Sequence, residues 1–90
     1  MKIKELKKWL EAQKIDPDIY SINGYEFPDE AHCLRKINEG YEVYYSERGH
    51  KNNRKIFADE IEACEYFKEK IIYEIKVFGD RVLKKPRGLF

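Results

Sequence analysis

The sequence predicts an α+β fold: a three- to four-stranded antiparallel meander sheet, with an N-terminal helix and a long C-terminal helix packed on one face, in the order α-(β)-β-β-β-α. Three observations predict it. Apolar residues recur at helical spacing near both ends of the chain. They alternate with period two in the middle, and turn-forming residues divide the alternating runs. Two helical stripes need a common surface to lie on, and one sheet provides it. Ninety residues suit a single domain with a small core, placed at 1–79 and followed by a basic tail over 80–90.

The first helix is expected over 2–14. Ile3, Leu6 and Leu10 share a stripe with Trp9 beside it, and lysines cover the other side. Asp16-Pro17 stops this helix, because the residue before proline avoids the α region. A short strand can follow at 19–22, "IYSI". The next run, "NGYEFPDE", reads as a loop with turn signals at Asn23-Gly24 and Pro28-Asp29. Strands are expected at 32–38, 41–48 and 54–58, joined by turns at Glu39-Gly40 and at "HKNN", 50–53. In the strand 41–48, Tyr41, Val43 and Tyr45 should pack on the second helix against Phe67 and Ile71. Glu42, Tyr44 and Ser46 then point to the outward face. Asp59 is the expected N-cap of that helix, with Glu62 at capping-box spacing and acids in the first turn, where the helix dipole favours them. Ile61, Cys64, Phe67, Ile71, Ile75 and Phe78 form its core stripe. Tyr66, Tyr73 and Val77 form a second stripe, and Gly79 ends the helix.

A net charge of +1 gives no field for nucleic acid. No apolar stretch is long enough to span a membrane, and the N-terminus lacks the apolar run of a signal peptide. Cys33 and Cys64 fall in apolar patterns, as buried free thiols of a cytoplasmic protein do. No metal or cofactor is expected: the cysteines and histidines lack ligand spacing, and there is no glycine-rich phosphate loop.

Residues 41–50, "YEVYYSERGH", contain the side chains of a small ribonuclease. Glu47, Arg48 and His50 (or His32) could serve as base, phosphate-holding cation and acid. Adjacent strand residues point to opposite faces, however, so Glu47 and Arg48 cannot both face one phosphate without a bulge. The plainer reading is a strand end that fixes the following turn.

The chain also resembles a family of small bacterial immunity proteins encoded beside polymorphic or contact-dependent-inhibition toxins. The matching positions are Tyr20, Ser21, Gly24, Pro28, Asp29, Cys33, Leu34, Tyr41, Val43 to Gly49 ("VYYSERG"), Phe57, and Glu62 to Cys64. They cover roughly residues 20–70. The resemblance implies a non-catalytic inhibitor that binds and neutralises one cognate toxin domain in the cytoplasm. Many inhibitors of nuclease toxins are strongly acidic, and this nearly neutral chain departs from that pattern, which leaves the toxin's activity open. Other readings are a generic small interaction or regulatory domain, and the ribonuclease. For a binder, the expected contact surface is the segment 15–32, whose charges are all acidic. It offers Asp16, Asp18, Glu26, Asp29 and Glu30 with Tyr20 and Tyr25, and Tyr44 on the outward sheet face joins them. The competing surface is Tyr66, Tyr73 and Val77 with the basic tail 81–87.

Overall fold

Helix α1 (Ile3–Ala12) leads through a 3₁₀ turn (Pro17–Ile19) into strand β1 (Tyr20–Ile22). Strands β2 (Ala31–Ile37), β3 (Gly40–Glu47) and β4 (His50–Phe57) follow, and then helix α2 (Glu60–Val82). The computed structural model describes residues 1–83 and, over 80–82, the backbone alone. The tail expected over 80–90 therefore lies mostly outside the described residues, and 80–82 continue α2.

The sheet order is β1-β2-β3-β4. The β2-β3-β4 meander is antiparallel, as the short connections require. β1 corrects the all-antiparallel expectation: it pairs parallel to β2, with Tyr20 beside His32 and Ile22 beside Leu34. A parallel pair needs a crossover connection. Because β1 has three residues, the short segment 23–30 is long enough to make the return. That return crosses the sheet on the face away from the helices.

The two hairpin turns differ from their expected positions. Arg48 and Gly49 both have positive φ, 51° and 76°, the signature of a two-residue type I′ turn between Glu47 and His50. The run "HKNN" is consequently strand, and β4 begins at His50. Between β2 and β3 the turn is Asn38-Glu39, and Gly40 already belongs to β3. Gly40 has φ +135°, and a Cβ there would lie 2.2 Å from the Phe57 carbonyl oxygen.

α1 ends in a Schellman motif with Lys14 in the left-handed region: the Ile15 and Lys14 N–H groups donate to the Leu10 and Glu11 carbonyls. At the opposite end, Glu60 of α2 accepts the Ile3 N–H at 2.9 Å, so an acid of one helix caps the other. Asp59 caps α2 through the Ile61 N–H, one residue short of the capping-box contact. The core between helices and sheet contains Leu6, Leu10, Ile15, Leu34, Val43 and, from α2, Ala63, Cys64, Phe67 and Ile71. Ile61 and Phe78 were expected in that stripe but are exposed. Ile61 lies at the edge of the buried arc, and at Phe78 the helix breaks (φ −131°, ψ 40°) beyond the end of the sheet. Gly79 thus follows a kink and does not terminate α2; the chain runs one more turn to Leu83, which bridges to Ile15.

Candidate functional site

β3 divides its side chains between the two faces as its alternation requires, but both faces are covered. On the helix side Val43 is buried, while Tyr41 and Tyr45 are half-buried. On the other side Glu42, Tyr44 and Ser46 are all buried. Tyr44, expected as an exposed contact residue, is only 2% accessible. The cause is the crossing segment 23–30: the Tyr44 hydroxyl donates to the Glu26 carbonyl at 2.6 Å, and Lys51 lies 4.7 Å from the Tyr44 ring centroid.

Around that ring, charged groups are matched internally. The Glu42 carboxylate accepts from Arg54 at 2.6 Å and from Lys51 at 2.9 Å, with Arg35 at 3.9 Å. Glu26 holds Lys51 at 2.7 Å and Arg35 at 3.1 Å. Burial pushes the Glu42 carboxyl up, but the bonds and charges of Lys51 and Arg54 outweigh it and hold it below the usual range. The hydrogen bond from Lys51 lowers Glu26 likewise. Burial pushes the Cys33 thiol up beneath this cluster and the Cys64 thiol up to about 11 in the core. Both cysteines are free and buried.

The expected acidic contact surface is thereby divided. Glu26 belongs to the cluster. Asp16 caps the 3₁₀ turn through the Asp18 N–H at 2.9 Å, and Asp29 accepts the Arg48 N–H at 3.3 Å. Tyr20 is half-buried on the core. Asp18 and Glu30 are exposed and their carboxylates have no cationic partner among the described residues, and Tyr25 is 72% accessible. The ribonuclease trio is not assembled by any hydrogen bond or ion pair among the described residues. Arg48 sits in the hairpin turn, and Glu47 and His50 are exposed across it.

A recess lies on the helix side. α2 packs mainly on β2 and β3, so β4 projects beyond it and a groove opens along the helix flank. One part, of about 250 Å³, is lined by His32, Tyr45, Asn53, Tyr66, Lys70 and Tyr73, with Glu74. A second part, of about 470 Å³, shares His32, Tyr45 and Glu74 and runs on to Ile19, Glu30, Glu47 and Phe78. Tyr66, Lys70, Tyr73 and Val77 recur at four, three and four, which sets them along one flank of α2 beside the groove. Tyr73 is 63% accessible.

The floor of the groove is the His32–Glu74 pair, 3.0 Å apart, with the His32 ring edge-on to Tyr45 at 4.9 Å. Burial lowers the His32 pKa below its usual value, and Glu74 pulls only partly against it. The ring is thus neutral at neutral pH, and the bond assigns the proton to Nε2, donated to Glu74. At one end of the groove Lys55 and Lys70 both lie 5.0 Å from the Tyr66 ring centroid. At the other end stand Glu30 and Glu47. Of these residues the sequence reading singled out Tyr66, Tyr73 and Val77 as a leftover stripe. It missed the His32–Glu74 pair, because nothing in the spacing of residues 32 and 74 joins a strand to a helix. Among the described residues no helix is long and apolar enough to cross a membrane. No protein-family model matches the chain, and no curated protein or solved structure matches it either.

Proposed function

We propose that the protein is a non-catalytic immunity protein, which binds a cognate bacterial toxin domain in the cytoplasm and neutralises it by covering its surface. The observation that supports this most is the groove along α2. Its rings are large and partly exposed, which suits contact at small entropic cost. Its buried polar floor, His32 with Glu74, is matched within the chain and needs no ligand to satisfy it. The likeness to immunity proteins over residues 20–70 points the same way. Its "VYYSERG" core falls on β3 and the Arg48-Gly49 turn, around which the sheet is built.

The test is direct. Where a neighbouring gene encodes a large secreted protein, the variable C-terminal domain of that protein is mixed with the purified chain. A one-to-one complex in size-exclusion chromatography with light scattering is expected. Separate elution of the two at micromolar concentrations would remove this reading.

A further inference from the structure

The groove has a direction. Its two parts adjoin, sharing His32, Tyr45 and Glu74 in their linings. At the Tyr66 end Lys70 lines the recess and Lys55 lies against the same Tyr66 ring; neither has a carboxylate partner among the described residues. The Phe78 end carries Glu30 and Glu47, both exposed and likewise without a cationic partner among the described residues. Between them the wall is aromatic, from Tyr45 and Tyr73. The face crossed by 23–30 differs: there Glu26, Glu42, Lys51 and Arg54 all sit in ion pairs. Unmatched charges of opposite sign at the two ends of one recess are a pattern that a partner can complete.

We infer that this groove is the toxin-docking site. Its occupant is a segment of the toxin domain with an acidic side chain at the Lys55–Lys70 end, a basic side chain at the Glu30–Glu47 end and an apolar or aromatic residue between them. This rests on the toxin-binding reading and adds the surface and the polarity of its partner. It also assigns contact to the α2 flank, with Glu30 the single acidic residue of the segment 15–32 that takes part. An aromatic such as Tyr73, next to the recess, has the character of an anchor whose loss acts on dissociation, whereas the end charges act on association.

The test uses the full chain and that candidate toxin domain, with rates measured by surface plasmon resonance at low and high salt. The variants are Lys55→Glu/Lys70→Glu, Glu30→Lys/Glu47→Lys, Tyr73→Ala and, as a control away from the groove, Asp18→Lys. All six positions are exposed, and thermal melts establish that each variant is folded. The inference expects each double reversal to slow association about tenfold at low salt and the difference to shrink at high salt. It expects Tyr73→Ala to speed dissociation by about tenfold or more, and Asp18→Lys to bind like wild type. Wild-type binding that all groove variants retain would overturn the inference and leave the toxin-binding reading standing. Failure of the wild type itself to bind would overturn that reading, and the occupant with it. A dimer of the isolated protein that Tyr73→Asp converts to monomer in analytical ultracentrifugation would assign the groove to a second copy and equally overturn the inference.

Discussion

Glu42 shows how one residue couples this small fold to its charges. Its carboxylate is buried in the middle of a sheet and holds two cations directly. Replacing it by glutamine keeps the shape, takes from Arg54 its counter-charge and leaves Lys51 with Glu26 alone. We expect Glu42→Gln to destabilise by about 2–3 kcal/mol, below the full range for a broken buried pair because both cations retain access to water. Urea melts measure this, and a loss under about 0.5 kcal/mol would mean the network contributes little. His32 makes a second prediction at this scale. Its pKa is lowered by burial, so the unfolded chain takes up the proton first. The stability it contributes is complete above about pH 6.5 and is lost as pH falls from there through the depressed folded value. Glu26 and Glu42, also lowered, act in a separate window below about pH 4.5. Melting temperatures of His32→Asn should therefore fall less than wild type between about pH 6.5 and 5. Parallel curves would show that His32 does not carry that part of the acid sensitivity.

At the scale of elements, the two hairpin turns can be separated by their glycines. Gly49 has positive φ, but a Cβ there meets nothing, whereas at Gly40 a Cβ would collide with the backbone of Phe57. Gly49→Ala should cost about 1 kcal/mol, the price of an alanine in the left-handed region. Gly40→Ala should cost more than about 3 kcal/mol, since the strand pairing of Gly40 must open to admit it. Equal losses in the two variants would contradict the turn assignment. The helices and the meander were legible because their periodicities are local and strong. The parallel pairing of β1 was not, since "NGYEFPDE" reads as a loop whether it turns back or crosses the sheet. That crossing also explains the misjudged Tyr44. Alternation told which face it occupies, and only the position of residues 23–30 told that the face is covered. The His32–Glu74 contact was invisible for a related reason: it exists only once α2 is laid over β2. The leftover stripe of Tyr66, Tyr73 and Val77 was visible as a helical flank, though not as the wall of a groove.

For the whole molecule, the near-neutral net charge conceals a sorted distribution. The face crossed by 23–30 matches its charges within the chain, and the groove along α2 keeps opposite charges unmatched at its two ends. The proposed contact with a toxin draws on a surface of the second kind. The measurement that bears most directly on this is growth rescue. The candidate toxin domain is induced in cells that carry this chain or an empty vector, with immunoblots of the soluble fraction to establish that both proteins are present. The account predicts that growth stops with the vector and continues with the chain. Growth that stops equally in both, with the soluble folded protein at hand, would contradict it.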